Sequence, residues 1–431
     1  MKIPETLLIE TLNKPGALAK VLEVAGKYDL FVDNMRSVSL DQDRITWEMT
    51  LEYDAEEHAT FIDDINALPG VALKGKSDRV FTRHEGGKIE IASKAPIQSY
   101  TELREIYTPG VARVCLAIQK NPELAMRYTN LANTIAIVTN GTAILGLGHI
   151  GAVAGLPVME GKSALFKHFA NISCIPILIE NTEKKTVIET VINIAPSFAA
   201  IQLEDIAAPD CFDIETQLRE RLKMPVLHDD QHGTAVVTLG ALLSATNRIG
   251  MDLKAARVGV IGLGAAGLGI SRLLLGYGVR ELLGSDLSAG EVQRLEKIGG
   301  KGSDLAGLMK KSEVVVATTG VKGLIKAEMV QKGQVILALT NPDPEIEPSV
   351  ALQAGAAFAA DGKAVNNVLA FPGLFRGVLD ARVDHFTDAM LFAAAEALAS
   401  SCGEGEILPR VLDQSVHDKV SHAVFTAAKG H

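Results

Sequence analysis

Glu204 and Asp205, followed by Asp230 in the segment HDDQHG, lie upstream of the run GLGAAG at residues 262 to 267. Adjacent carboxylates can share a hard divalent cation, and a glycine-rich turn after a strand lets backbone amides meet a dinucleotide pyrophosphate. The combination points to metal-assisted redox chemistry. Asp229 and Asp230 follow the apolar pair VL just as Glu204 and Asp205 follow AIQL. Both pairs therefore sit at the loop ends of strands, where α/β folds collect ligands. His228 and His232 would suit zinc, but no cysteine accompanies them and carboxylates outnumber imidazoles, so magnesium or manganese is the expected ion. The bland alternative is a set of ordinary acidic loop residues.

Two further side chains could move protons. Lys162 follows Gly161 in the apolar stretch GLPVMEGKSALFKHFA. Burial there would destabilise its ammonium and make it a base, unless the chain snorkels to water. Tyr107, in IYTPGVAR, precedes the helical run VARVCLAIQK. A phenol at a helix mouth can meet an anion beside backbone donors, although a lone tyrosine is more often a packing residue.

The elements that must position these groups can be read from apolar patterning. CIPILIE with TVIETVINIAPSFA, and AIQLEDIAAPDCFDIETQLRERL leading to MPVLHDDQHG, read as parallel-type βα units. A helix over VTLGALLSATNRIG then leads to the strand RVGVI (257 to 261). In the fingerprint, Gly262 permits the tight turn, Gly264 allows close approach to the pyrophosphate, and Gly267 lets the helix pack on the sheet. The next strand, in ELLGSDLSAG, ends at Asp286. A carboxylate there accepts the ribose hydroxyls and repels a 2′-phosphate. LSAG has no basic residue to reverse that, so NAD is favoured over NADP; a lysine from elsewhere would restore NADP. The strands in SEVVVATTG (312 to 320) and GQVILALTNPDP (333 to 344) complete an open parallel sheet and bring Gly320 and Asn341 to its loop edge. NNVLAFPGLFRGVLDAR, with Pro372 expected to disturb a helix, would close the cleft.

The 431 residues allow two to four domains, and 47% hydrophobic residues supply sizeable cores. A net charge of -10 without a sustained Lys/Arg block argues against nucleic acid or an anionic membrane as the main partner. The four cysteines (115, 174, 211 and 402) show no CxxC spacing and are expected to be mostly buried thiols. The start MKIPETLLIETLNKPG does not resemble an export signal. Residues 135 to 158 are long enough to span a bilayer, but Asn140, His149, Pro157 and many glycines make them a globular segment. The expectation is a cytoplasmic protein.

Residues 1–83 have a rhythm of their own. LLIETL, the turn NKPG, the helical ALAKVLEVAGKYDL, strands at 31 to 40 and 44 to 53, the helical AEEHATFIDDINAL and a strand near 71 to 81 give the order βαββαβ. This segment resembles an ACT regulatory domain, on the turn LNKPGALAKV (12 to 21) and the element order. That resemblance implies a ferredoxin-like fold and a small-molecule effector site at Asn13, Pro15 and Gly16. The alternative is that Gly16 merely permits the turn.

Beyond a connector at residues 84 to 99, IYTPGVA, ILGLG, GLPVMEGK, LEDI, APDCF, HDDQHGTAVV, NPDPEI and NNVLAFPGLFRG follow in order. Over roughly residues 84 to 425 the chain resembles the bacterial malic enzyme family, some members of which carry an ACT domain. The resemblance implies an α/β fold with an ACT-like regulatory domain at 1–83, a catalytic and metal-binding domain at 84–235 and a Rossmann-type NAD(P)-binding domain at 236–431. It implies Glu204, Asp205 and Asp230 as ligands of Mg²⁺ or Mn²⁺, Lys162 as general base and Tyr107 as the acid that protonates the enol carbon. Asp229 would support the lysine's proton handling, and Asn341 and Asn367 would hold substrate through their amides. The implied reaction takes L-malate through oxaloacetate and enolpyruvate to pyruvate and CO₂, with hydride passing to NAD and a homodimer or larger homo-oligomer as the working form. Alternatives are a malolactic or oxaloacetate-type decarboxylase, or a catalytically silent dinucleotide-binding regulator. Three departures bear on substrate preference, rate or pH behaviour: His149 where relatives carry Asp or Asn, AAIQ at 199 to 202 in place of Gly-Gly-Ile-Asn, and Ala143 where animal members place an arginine.

Overall fold

The computed structural model describes residues 3–41, 43–53, 58–77, 79–144, 147–341, 343–403 and 405–430. The start of the expected helix at 55–57, Leu145 and Gly146 of ILGLG, and Pro342 of NPDPEI lie outside the described residues. The chain divides into two compact units, Met1–Lys88 and Ile89–His431.

In the first unit, β1 (Ile3–Leu12), the helix Ala17–Lys27, β2 (Phe31–Leu40), β3 (Arg44–Tyr53), the helix His58–Ala67 and β4 (Val71–Ser77) follow the order βαββαβ. The strands form one sheet, β2-β3-β1-β4, with antiparallel neighbours. Alternate residues Leu7 and Ile9 of β1 and Met49 and Leu51 of β3 face Val21, Val24, Phe61 and Ile65 of the helices, so the unit has its own core. Gly16, with φ of 82°, turns the chain into the first helix. The last strand stops at Ser77, short of the expected 81, and Arg79–His84 is helical. Ser77 already pairs with Thr6, so little of β1 remains to extend the ladder.

The second unit contains two parallel sheets. One is ordered β6-β5-β7-β8, from β5 (Thr134–Thr139), β6 (Ser173–Leu178), β7 (Ala200–Leu203) and β8 (Val226–His228). The other runs β11-β10-β9-β12-β13-β14, from β9 (Arg257–Ile261), β10 (Glu281–Ser285), β11 (Lys301–Gly302), β12 (Val314–Ala317), β13 (Val335–Ala338) and β14 (Phe358–Asp361). With β9 as its first strand, this is the Rossmann order 3-2-1-4-5-6. Runs such as Val314, Val315 and Val316 are fully buried, as a sheet covered on both faces requires.

The helix Asp229–Arg248 joins the sheets. It begins well before the 237 expected from its apolar run, because Asp229 and Asp230 occupy a first turn where negative charge is favourable. Its apolar residues, including Val236, Leu239 and Leu242, share one core with Ile135 and Ile137 of β5 and Val258 and Val260 of β9. Pro372 does not disturb its helix: it lies in the first turn of Phe371–Ala381, where its missing N–H costs nothing. The cysteines are free thiols as expected, but fewer of them are buried than expected. All four are free, Cys174 and Cys211 are buried, Cys402 is half-buried, and Cys115 is exposed on the helix Val111–Lys120. Among the described residues, no helix is long and apolar enough to cross a membrane. The described residues between 135 and 158 belong to β5, to turns and to the start of the helix Leu156–Ala170.

Candidate active site

The helix Leu156–Ala170 turns Met159, Lys162, Ser163 and Phe166 inward at helical spacing. Lys162 is 8% exposed, and its Nζ lies 2.7 Å from Glu204 Oε1 and donates to Asp229 Oδ2. The ammonium also sits 4.8 Å from the ring centre of Phe371, which shields it from water. Glu204 and Asp205 come directly off the end of β7, and Asp229 and Asp230 directly off the end of β8. Neighbouring parallel strands in register bring the pairs together, Leu203 facing His228. Asp205 has the unusual φ of 53°, and its N–H donates to Asp230 Oδ2 at 2.8 Å. Asn367 Nδ2 donates to Asp229 Oδ2 at 2.8 Å.

Carboxylate oxygens of Glu204, Asp205 and Asp230 all lie within 4.8 Å of one another. This hard, all-oxygen donor set fits Mg²⁺ or Mn²⁺ rather than zinc. Charge leads to the same ion. One ammonium faces four carboxylates in a water-poor pocket, and the pocket raises the Glu204 carboxyl well above its ordinary range through burial, which Lys162 offsets only in part, and through its acidic neighbours. Burial likewise raises Asp229 despite the opposing attraction of Lys162. A divalent cation would relieve both.

The structure reverses the expectation that burial alone would discharge Lys162. Desolvation does pull its pKa down, but Asp229, Glu204 and Asp230 outweigh it, and the net movement is upward. The lysine is held as an ammonium until something else neutralises the carboxylates.

In the Rossmann sheet, Gly262 (φ 85°) passes against Thr318 O, where an added Cβ would lie at 2.7 Å. A Cβ on Gly267 would meet Gly262 O at 1.8 Å, so the third glycine permits the packing of helix on turn. Gly264 caps the helix Ala265–Tyr277 with nothing within 4 Å of a virtual Cβ, leaving its backbone open to a ligand. Asp286 stands at the end of β10, but its oxygens also accept from Leu263 N at 2.7 Å and Ser288 N at 2.8 Å, so it shapes the glycine turn. Gly320 lies in the loop after β12 with φ of 73°, and Asn341 is exposed in the loop after β13.

Tyr107 is 67% exposed at the end of the helix Tyr100–Ile106, and among the described residues its hydroxyl has no hydrogen-bond partner. His149 is exposed, and Ala143 donates its N–H to Asp205 O at 3.0 Å. In the first unit, Asn13, Pro15 and Gly16 are exposed around the turn, and Asn13 Nδ2 donates to Asp41 O at 3.4 Å.

Two residues support the cluster through contacts that the sequence reading did not foresee. Gln202, fully buried in β7, donates through Nε2 to Glu204 Oε2 at 2.7 Å and fixes the carboxylate face that Lys162 does not hold. Glu215 accepts from His228 N, Gln231 Nε2 and His232 Nε2 at 3.1, 3.2 and 3.0 Å, and so anchors the helix start that carries Asp229 and Asp230. Burial alone would raise its carboxyl, but His232 and His228 hold it down at about 2. A signal was present: Glu215 lies among Cys211, Ile214 and Leu218 on the apolar face of its helix, where an unpaired acid would be costly.

The fold and the site define a dinucleotide-binding α/β protein with an acidic, lysine-bearing pocket at the strand ends of its smaller parallel sheet. Family models match in two stretches, "Malic enzyme, N-terminal domain" at residues 86–219 and "Malic enzyme, NAD binding domain" at residues 288–429. The chain is 51% identical to NAD-dependent malic enzyme 1 of Bacillus subtilis (strain 168), covering 98% of each chain. It is 40% identical to the NAD-dependent malic enzyme of Geobacillus stearothermophilus, over 87% of this chain and 84% of that one. Its structure is similar to that of malic enzyme from Pyrococcus horikoshii Ot3, with a TM-score of 0.78, 37% identity, and coverage of 82% of this chain and 90% of that one. The chain belongs to the malic enzyme family.

Proposed function

We infer that the chain catalyses the oxidative decarboxylation of L-malate to pyruvate and CO₂ with reduction of NAD(P). The single observation that carries the reading is the buried contact of Lys162 with Glu204 and Asp229 beside the three clustered carboxylates. Glu204, Asp205 and Asp230 would hold Mg²⁺ or Mn²⁺, which when bound supplies positive charge to the malate hydroxyl and its neighbouring carboxylate. Lys162, gripped between Glu204 and Asp229, would take the C2 hydroxyl proton once its own excess proton has passed to Asp229. Asp229, bonded to both Lys162 and Asn367, orients the amine and receives its excess proton. Asn367 and Asn341 hold the substrate through their amides. Tyr107 protonates C3 of the enol.

The dinucleotide is held by Gly262, Gly264, Gly267, Asp286 and Gly320, and Asp286 favours NAD over NADP because a 2′-phosphate would meet its charge. The working form is a homo-oligomer. In its support, Tyr107 belongs to a stretch in which the helices Tyr100–Ile106 and Val111–Lys120 bury no residue, leaving Leu103, Ile106 and Leu116 exposed. Residues 1–83 are an ACT-like regulatory domain with ferredoxin-like topology, and the exposed turn at Asn13, Pro15 and Gly16 is its effector site.

Purified protein given malate, Mg²⁺ or Mn²⁺ and NAD should form NADH and pyruvate in equal amounts, faster than with NADP, and EDTA should suppress both. Malate-dependent reduction without pyruvate would instead make the protein a simple dehydrogenase, and lactate without net NADH a malolactic enzyme.

A further inference from the structure

Glu345 is a fully buried carboxylate in the second unit, and among the described residues it forms no salt bridge. A charge in that position must be satisfied by hydrogen bonds. Among the described residues, two provide them. Thr319 donates its N–H at 2.6 Å and its hydroxyl at 2.9 Å to Oε1, while Thr340 donates its hydroxyl to Oε1 at 2.6 Å and its N–H to Oε2 at 3.3 Å. Thr319 lies just beyond β12 and Thr340 just beyond β13, adjacent parallel strands. One carboxylate therefore ties together two loops at the ligand edge of the Rossmann sheet.

The tie extends past the threonines. With its hydrogen committed to Glu345, the Thr340 hydroxyl accepts from Gly320 N at 2.9 Å, and the Thr319 hydroxyl accepts from Val321 N at 3.1 Å. Ile325 N donates to Glu345 O at 3.0 Å and Gly323 N to Pro344 O at 3.1 Å, so the segments run together on either side of the acid. Thr318, next in line, donates its hydroxyl to Gly262 O at 3.1 Å, which connects the assembly to the glycine turn. Asn341 follows Thr340 directly.

We propose that Glu345 is a positioning residue that sets the dinucleotide-side loop at Gly320 and the substrate-side loop at Asn341 as one unit, so that each ligand meets a preformed edge. This rests on the reading of Gly320 and Asn341 as cofactor- and substrate-binding residues. Preorganised loops spare each ligand the cost of ordering them. Removing the charge should therefore weaken both ligands together, while a carboxylate that only filled space would affect stability alone.

The test uses the full chain with E345Q, which keeps the side-chain shape but removes the charge and one acceptor, and T340V, which removes the hydroxyl that donates to Glu345 and accepts from Gly320 N. NADH affinity is read by fluorescence titration, malate KM and kcat by steady-state assay, and folding by circular dichroism. E345Q should raise the NADH Kd and the malate KM by about tenfold each, as expected for losing hydrogen bonds to a charged group, with kcat less affected. T340V should raise the NADH Kd as well, and it carries the test if E345Q does not fold. Folded variants with Kd and KM within about twofold of the native chain would overturn the proposal. N341A separates the two layers of the argument. A raised malate KM in N341A with none in E345Q overturns the tie alone, and an unchanged N341A overturns the loop assignment and the tie with it.

Discussion

Lys162 combines two demands that pull in opposite directions. A buried amine serves well as a base when it is neutral, yet Glu204 and Asp229 hold this one charged. The conflict resolves if the carboxylates are drawn toward a cation. Replacing Lys162 with alanine should then lower malate oxidation by roughly 10² to 10⁴, the usual worth of a general base, and a near-native rate would remove the lysine from the chemistry. Tyr107→Phe should instead impair ketonisation of enolpyruvate while leaving measurable reduction of added oxaloacetate; an unchanged protonation rate would dismiss the tyrosine. The raised pKa values of Glu204 and Asp229 carry a linkage of their own. A carboxyl whose folded pKa is raised stabilises the fold below its unfolded pKa and loses that contribution as pH rises through the folded value. Without metal, stability should therefore decline as these groups ionise, and Mg²⁺ should offset the decline. Melting curves with EDTA and with Mg²⁺ should diverge more at about pH 8 than at about pH 5.5; a gap that is constant or larger in acid would show that these carboxylates do not take the cation.

At the scale of the element, the end of one short strand and the start of one long helix place most of the pocket. The ends of β7 and β8 could be read from sequence because a short apolar strand followed by acids has few other meanings in an α/β fold. Four Rossmann strands, β9, β10, β12 and β13, were legible because their short apolar runs leave little choice of element, whereas the two-residue β11 (Lys301–Gly302) and the alanine-bearing β14 (Phe358–Asp361) carry no such run and were not expected. What could not be read required partners distant in the chain. Lys162 looked like an amine in apolar company because Glu204 and Asp229 reach it only across the sheet. The helix Asp229–Arg248 looked shorter than it is because its first turn is polar, and apolar periodicity does not register a turn that is favourable through its dipole. Pro372 was misread because a proline breaks a helix in the interior and starts one at its first turn, and only the boundary decides between them. Gln202 was read only as part of the AAIQ departure and its contact with Glu204 was missed, though a polar side chain inside a buried strand generally has a partner to hold.

At the scale of the molecule, the first unit closes its own core from Leu7, Ile9, Met49, Leu51 and the facing helices, while every residue of the acidic cluster belongs to the second unit. A segment with its own core and no residue in the cluster is expected to be dispensable for the chemistry, which a shortened chain tests. A chain beginning at Ile89 should fold and keep malate turnover, and it should lose any response to a small metabolite that the full chain shows. Such a response requires the effector to bind two states of the protein unequally, with a coupling of about 1 to 3 kcal/mol, or roughly 5- to 150-fold in affinity. Calorimetric screening of amino acids and central metabolites against the full chain, followed by malate kinetics on both chains, measures that coupling directly. An effector that binds the full chain and shifts its malate kinetics, with no shift in the shortened chain, would make residues 1–88 a regulatory unit. Identical kinetics and no ligand would leave assembly as its role, which the molecular mass of the two chains in solution would then reveal.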